Sequence, residues 1–155
     1  MSPESSLWRL VKNNLPGHLC RIENVVGVGC PDVNVCYKGN EVWLEMKVCK
    51  GNFVYFKPSQ VAWFQKRMKE QGNAKFVIQW NYYQKGQRVP HLLIVHGHTF
   101  LDAQEHWIPM KNKSIRVLVS EFFTEDSYCF SKPYDWKLVR KAIFAPCLSL
   151  LYKKQ

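Results

Sequence analysis

The chain has 155 residues, a length typical of one domain with a substantial buried core. Hydrophobic residues make up 46% of the sequence and aromatic residues 14%, which excludes a disordered chain and favours a globular fold. The 22 Lys and Arg residues outnumber the 12 Asp and Glu residues, and a net charge of +10 favours a polyanionic partner, above all nucleic acid. The sequence has no apolar run long enough to span a bilayer and no signal-peptide pattern, so we expect an intracellular protein without membrane association.

Cysteine and histidine patterns argue against a zinc or thiol site. The six cysteines form no C-x-x-C pair, so neither a zinc ribbon nor a thioredoxin-type motif is supported, and reduced thiols are expected. His91, His96 and His98 lie close together in the sequence. Alternation along a strand explains them, and we do not predict a histidine metal site.

The first predicted helix begins near the start of the chain. Ser2 is suited to the N-cap and Pro3 to the first helical position. Leu7 and Val11 follow at helical spacing, and the Asn-Asn-Leu-Pro-Gly run at 13–17 ends the helix.

A predicted hairpin follows, with a Gly-Asn turn at 39–40. In this register Asp32 lies opposite Lys47 and Asn34 lies opposite Glu45, so these polar side chains share one face. The other face is uniformly apolar and is expected to be buried; it comprises Val33, Val35, Tyr37, Val42, Leu44 and Met46. The hairpin therefore has one core face and one polar face.

The remaining elements follow from hydrophobic periodicity and turn signals. They are a strand from Cys20 to Val26 before a glycine break at 27–29, a helix from Pro58 ending near Gly72, a strand from Lys75 to Trp80, a hairpin from Tyr82 to His96 turning at Lys85-Gly86-Gln87, a helix from Thr99 to His106, a strand from Ile115 to Val119, a helix from Trp136 to Phe144 capped by Asp135, and a basic tail at Lys153-Lys154.

Basic and aromatic residues alternate in the segment after the first hairpin, at 48–57. This pattern suits either base stacking along a nucleic acid or a hairpin that packs its aromatics into the core. Lys50 and Lys57 are candidate phosphate contacts. Arg67, on the same helix stripe as Gln60, is a third candidate for nucleic-acid binding.

The hairpin motifs resemble those of a nuclease superfamily. Pro31-Asp32 followed by Glu45-x-Lys47 resembles the PD-(D/E)XK signature. With the preceding Gly29 and the downstream Gln60, the pattern resembles the VRR-NUC branch, the virus-type replication and repair nucleases, close to Holliday-junction resolvases. The resemblance covers about the first half of the chain.

This resemblance implies an α/β, restriction-endonuclease-like fold. Its core order is α-β-β-β-α-β, with a central mixed sheet flanked by helices. We expect a single nuclease domain over 1–155, with a core at about 1–98. Residues 99–155 would then be a C-terminal decoration that sets substrate choice or forms a dimer interface.

The resemblance also implies a metal site. Asp32 and Glu45 are hard oxygen ligands that, with the backbone carbonyl of Met46 and water, suit Mg²⁺ or Mn²⁺ better than zinc. A third carboxylate is expected from Glu4 on the first helix, with Glu23 as the rival candidate.

Lys47 is the predicted catalytic lysine, which orients or helps to deprotonate the attacking water and stabilises charge on phosphorus. In the family a glutamine at the position of Gln60 lines the active site. The alternative is a surface arrangement in which Asp32 ends a turn and Glu45 pairs with Lys47 in solvent. The concentration of acid, amide and lysine on one face favours the site.

The function implied is that of a Mg²⁺-dependent DNA endonuclease on branched DNA such as Holliday junctions, in viral replication or repair. Two symmetric cuts would require a homodimer, and a viral enzyme would act in the host cytoplasm. The alternatives are a catalytically idle nucleic-acid-binding module on the same fold and a restriction-like, sequence-specific nuclease.

Overall fold

The computed structural model describes residues 1–23 and 29–146, so Val26, Gly27, Cys147 and the Lys153-Lys154 tail lie outside the described residues. The helices are α1 (Pro3–Asn14), α2 (Pro58–Lys69), α3 (Gly97–Asp102) and α4 (Trp136–Phe144). The strands are β1 (His18–Arg21), β2 (Val33–Tyr37), β3 (Asn40–Val48), β4 (Phe53–Phe56), β5 (Ala74–Gln84), β6 (Gln87–His96), β7 (Ile108–Pro109), β8 (Ile115–Leu118) and β9 (Tyr128–Ser131). Short 3₁₀ turns occupy Gln104–His106, Lys111–Lys113 and Val119–Phe122.

Six strands form a central mixed sheet in the order β1-β2-β3-β5-β6-β9. Strands β3 and β5 are parallel, and the other neighbours are antiparallel. Helices α1 and α4 pack on one face, while α2 and α3 pack on the other. The predicted fold class, a central mixed sheet flanked by helices, is confirmed.

The first helix forms as its sequence signals predict. The Ser2 side chain accepts a hydrogen bond of 3.1 Å from the Ser5 amide, and Pro3 occupies the first turn. Leu7 and Val11 are buried against the sheet. This packing points the first turn of α1, with Glu4, towards the polar side of the hairpin.

The predicted register of the β2–β3 hairpin is wrong. Val33 pairs with Leu44 and Asn34 pairs with Trp43, so the turn is at 38–39. Both turn residues have positive φ, 49° and 79°, and glycine at the second position is the arrangement that a type I′ turn favours.

The register change is two residues along β3, an even number, so the two faces of the hairpin keep their predicted identity. Five of the six residues assigned to the apolar face are buried, and the sixth, Tyr37, is half-buried. What changes is the residue opposite Asp32, which is now Glu45 instead of Lys47.

A second, three-stranded sheet, ordered β4-β8-β7, was not predicted. Strand β4 lies between β3 and α2 in the chain, and it adds one element to the predicted core order. Val54 and Phe56 are buried in the core, so the packing interpretation holds for these two side chains of the basic and aromatic segment. Tyr55 faces away from the core and is half-exposed.

The later elements match their predictions in type and differ at their ends. Strand β1 begins two residues before Cys20, and β5 runs well beyond Trp80. The predicted helix at 99–106 is split into α3 and a 3₁₀ turn. Helix α4 has the predicted bounds, and Asp135 caps it by accepting a hydrogen bond of 3.1 Å from the Lys137 amide.

Residues after 98 contribute to the same hydrophobic clusters as the first half of the chain. Strand β9 pairs with β6, and α4 buries Val139 and Ile143 beside α1. Phe100 and Phe122 pack with Phe56 in the cluster on the opposite face. Within 1–23 and 29–146, no helix has both the length and the apolar character needed to cross a bilayer.

Candidate active site

A cavity of about 210 Å³ opens where the hairpin, α1 and the start of α2 meet. The lining residues are Glu4, Trp8, Arg21, Asp32, Glu45, Met46, Lys47, Lys57 and Gln60. The fold therefore brings all of the predicted catalytic residues to one cavity. Their assigned roles remain predictions.

Asp32 and Glu45 are joined through the backbone of the hairpin. The Asp32 amide donates to Glu45 Oε2 at 3.2 Å, and the Met46 amide donates to Asp32 Oδ2 at 2.9 Å. The first of these bonds is a consequence of the observed register, which places the two acids opposite each other. Each carboxylate is therefore fixed by main-chain donors.

Gln60 connects the helix to the hairpin. Its Nε2 donates to Glu45 Oε1 at 2.7 Å, and its Oε1 accepts from Lys47 Nζ at 2.8 Å and from the Lys57 amide at 3.0 Å. The two donors at Oε1 and the carboxylate at Nε2 define the orientation of the amide. Gln60 thus fixes an acid and a lysine at the same time.

Gly29 accounts for the close approach of the Asp32 loop to α2. Its φ is +68°, and a Cβ atom built there would overlap the carbonyl oxygen of Ser59 in the first helical turn. A side chain would therefore push Gln60 away from Glu45. This is a physical reason for the glycine that precedes Pro31-Asp32.

Lys47 is enclosed by the site. Its Nζ lies 3.9 Å from Glu45 Oε1 and 5.1 Å from the Phe56 ring centroid. Burial lowers the pKa of Lys47, and the nearby Glu45 and Asp32 charges offset only part of this effect. The ammonium is therefore a better proton donor than an exposed lysine.

The surroundings of Asp32 and Glu45 disfavour the ionised forms of both carboxyl groups. Burial, and then the charge of Asp32, raise the pKa of Glu45 to about 8. Burial also raises the pKa of Asp32, although the hydrogen bond from Met46 opposes this shift. A cation between the two carboxylates would stabilise their ionised forms.

The donor set fits Mg²⁺ or Mn²⁺. Within the part of the chain that the structure describes, no group of three or more His, Cys, Asp or Glu side chains is placed to hold a metal ion. Mg²⁺ is commonly bound by only one or two carboxylates together with water, so Asp32 and Glu45 suffice. The Met46 amide points to Asp32, and in a strand the carbonyl of the same residue points to the same side, as the predicted ligand role requires.

Glu4 lines the cavity and Glu23 does not, which favours Glu4 as the third carboxylate.

Sequence reasoning missed Trp8 and Arg21. Trp8 is four residues after Glu4 and so lies on the same helix face, a signal that was present in the sequence. The Arg21 guanidinium lies 5.6 Å from the Trp8 ring centroid, and its charge opposes part of the rise in the pKa of Asp32 that burial causes.

The three residues predicted to contact nucleic acid are Lys50, Lys57 and Arg67. Lys57 lines the cavity, and Lys50 lies 5.3 Å from the Tyr55 ring centroid. Arg67 lies against Trp63, at 4.6 Å from the ring centroid. Contact of these three residues with nucleic acid remains a prediction.

None of the described cysteines or histidines is among the lining residues of this cavity. Cys20, Cys30, Cys36, Cys49 and Cys129 are free thiols. The rings of His96 and His98 are stacked, and burial lowers the pKa of His96 to about 3. His91 lies instead beside Trp80.

No protein-family model matches the chain, and no curated protein matches it. Among solved structures, the chain is similar to the Holliday junction resolvase Hjc of Archaeoglobus fulgidus, an archaeal hyperthermophile. The identity is 14%, the TM-score is 0.49, and the match covers 78% of this chain and 88% of that chain. At this identity and score the similarity identifies neither activity nor substrate.

Proposed function

We propose that this protein is a divalent-metal-dependent endonuclease that hydrolyses phosphodiester bonds in DNA. One observation carries the proposal: Asp32, Glu45, Lys47 and Gln60 are joined by direct hydrogen bonds in a single cavity. A solvent-facing ladder of charges would leave these groups exposed. Glu45 is instead 3% exposed.

The carboxylates of Asp32 and Glu45, with the Met46 carbonyl, would hold Mg²⁺ or Mn²⁺. Glu4 lines the same cavity and is the proposed third carboxylate. A divalent ion supplies charge neutralisation at the phosphate and activation of water. The protein keeps the two acids in place with backbone and Gln60 hydrogen bonds. Their orientation is therefore set before substrate binds.

Lys47 stabilises the negative charge that develops on the phosphate oxygens and orients the attacking water. Its bond to Gln60 fixes the direction of the ammonium. Lowering of its pKa by burial makes proton exchange with water less costly. Gln60 acts as a positioning residue because it contacts both Glu45 and Lys47.

Branched DNA, such as a four-way junction, is the proposed substrate, and a homodimer is the proposed assembly for paired cuts. The resemblance of the motifs to the virus-type replication and repair nucleases supports both points, as well as a role in viral replication or repair. The net charge of +10 supports binding to a polyanion.

The test is incubation of the protein with labelled four-way junction, flap, single-stranded and linear duplex DNA, with Mg²⁺, Mn²⁺ or EDTA. Cleavage with either metal and none in EDTA is the expected result. Binding without cleavage of any substrate would favour the idle module instead. Equal cleavage of linear duplex and junction would contradict the branched-DNA proposal alone, and the mass in solution tests the homodimer.

A further inference from the structure

A groove of about 680 Å³ lies beside the active-site cavity and shares part of its lining. Glu4, Lys47 and Lys57 line both spaces. The far wall of the groove comes from the second sheet and from the segment between β7 and β8. A polymer bound in the groove would therefore lie next to the candidate catalytic residues.

The second sheet turns one face to the groove and the other to the core. Tyr55 pairs with Arg116, and Arg116 pairs with Ile108, so these three residues form a row across β4, β8 and β7. All three line the groove. Val54 and Val117, on the opposite face, are fully buried. This part of the groove wall is therefore the face of a sheet, and the segment between β7 and β8 adds Met110, Lys111 and Ser114.

The charged side chains of the groove are almost all basic. Besides Lys47 and Lys57, the lining includes Lys50, Lys111 and Arg116. Among the described residues, none of these last three forms an ion pair with a carboxylate. The groove is therefore suited to a polyanion.

Arg116 is the basic residue that most directly indicates a ligand. Its guanidinium carbon lies 4.5 Å from the Phe53 ring centroid, which fixes the side chain against the sheet. Its Nε is buried and has no hydrogen-bond partner among the described residues. Arg116 lines the groove, and the other N–H donors of its guanidinium can contact a phosphate oxygen there.

Apart from Glu4 and Ser114, the rest of the lining is apolar or aromatic, and such a surface suits an unpaired strand better than a duplex. Ile108, Pro109 and the 39% exposed Met110 form this part of the wall, beside the ring of Tyr55. A duplex presents phosphates and sugars outwards and keeps its bases stacked inside, whereas an unpaired strand exposes base faces to aromatic and apolar side chains.

We propose that this groove binds an unpaired DNA strand and leads it to the active-site cavity. Lys50, Lys111 and Arg116 contact the phosphates, and Tyr55 stacks on a base. The delivery to a cleavage site rests on the proposed nuclease function, but the binding does not. The structures that fit both sites are then branched DNAs with an unpaired arm.

The test measures binding by fluorescence anisotropy in EDTA, where no metal-dependent cleavage occurs. The ligand is a labelled oligothymidylate of about 20 nucleotides, because a typical single-strand site covers roughly 4–16 nucleotides. A matched duplex and an oligouridylate of equal length are the comparison ligands. The groove variant carries Lys50→Gln, Lys111→Gln and Arg116→Gln. The control variant removes three exposed charges elsewhere, with Lys69→Gln, Lys137→Gln and Lys141→Gln.

Loss of three phosphate contacts is expected to weaken single-strand binding by about 100-fold at 0.1 M salt and to reduce the slope of log K against log salt by about 2. The control variant should lose less than about threefold. Tyr55→Ala should weaken binding by at least about fivefold, and Tyr55→Phe should restore it because the ring remains. Thermal melting of each variant excludes unfolding as the cause.

A loss of less than about tenfold in the groove variant, or an equal loss in the control variant, would overturn the proposal. Tighter binding of the duplex than of the single strand would also overturn it. Tighter binding of the oligouridylate than of the oligothymidylate would overturn it as well, because the groove would then be an RNA site. The nuclease proposal is tested separately, because Glu45→Gln removes a cavity acid and leaves the groove intact. Single-strand binding without any cleavage by the wild-type protein would contradict the function but not the groove.

Discussion

Gln60 on α2 donates a hydrogen bond of 2.7 Å to Glu45 on β3, and this bond joins a helix terminus to the buried acid of the candidate site. The same amide accepts from Lys47. The position of α2 thus determines the orientation of both groups.

Gln60→Ala should lower cleavage by about 10–100-fold and weaken Mg²⁺ binding by a similar factor, because partners that orient metal ligands have effects of this size. DNA binding in EDTA should change little. Gln65→Ala is the matched control, since Gln65 lies on the exposed face of the same helix. An unchanged Mg²⁺ dependence of cleavage in Gln60→Ala would contradict the positioning role.

Lys47→Met should lower kcat by about 10²–10⁴-fold, the range expected for loss of a proton-transfer or charge-stabilising group. Binding of DNA in EDTA should weaken much less, because many cations share that contact. Lys66→Met, on the exposed surface of α2, provides the control. If both variants cut at the wild-type rate, Lys47 has no catalytic role.

Stability in EDTA should fall as pH rises through neutrality. The pKa of Glu45 is about 8 in the folded protein, above its ordinary value of 4.5, so between these values the folded state binds more protons than the unfolded state. The stability associated with the protonated carboxyl is therefore complete below pH 4.5 and is lost as pH rises to about 8. Glu45→Gln removes this titration.

The measurement is thermal melting of wild-type protein and Glu45→Gln between about pH 5 and pH 8 in EDTA. Each pH unit costs the wild-type protein up to about 1.4 kcal/mol, or roughly 3–6 °C in Tm at this chain length. The difference in Tm between the variant and wild type should grow steadily with pH. Parallel pH profiles would show that Glu45 ionises at its ordinary pKa.

Lys75→Met should lower the free energy of unfolding by about 2–4 kcal/mol without a direct effect on cleavage chemistry. The buried Nζ of Lys75 donates to the carbonyl oxygens of Ala142 at 3.0 Å, Ile143 at 2.7 Å and Ala145, all at the end of α4. Removal of the ammonium leaves these carbonyls without a donor and removes a favourable interaction with the helix dipole. Urea titration against the exposed control Lys69→Met measures the difference.

The fold could be predicted in outline because its signals are local. Ser2 and Pro3 mark the start of α1, Asp135 caps α4, and alternating valines and leucines define the core face of the hairpin. The register of that hairpin could not be predicted, since Gly-Asn and Lys-Gly both make acceptable turns. The two registers differ by two residues and leave the same side chains on each face, so the hydrophobic pattern does not distinguish them.

Asp32, Glu45, Lys47 and Gln60 were singled out because their motifs resemble those of a nuclease superfamily. The structure brings them to one cavity, and their roles stay predictions. Lys75 gave no signal, because its partners are helix carbonyls some 70 residues later in the chain. The second sheet was missed for the same reason: β4 and β8 pair across a long separation, and neither is strongly periodic.

The most direct test of the central claim is the cleavage of labelled junction, flap, single-stranded and duplex DNA by wild-type protein, Glu45→Gln and Glu41→Gln in Mg²⁺. Glu41 lies four residues before Glu45 on β3, is exposed, and accepts a hydrogen bond from Asn34 instead of lining the cavity. The structure predicts that wild-type protein and Glu41→Gln cut at similar rates, that Glu45→Gln is at least about 100-fold slower, and that EDTA abolishes cleavage by all three. Cleavage by Glu45→Gln at the wild-type rate, or no cleavage of any substrate by wild-type protein, would contradict the assignment of this cavity as a nuclease site.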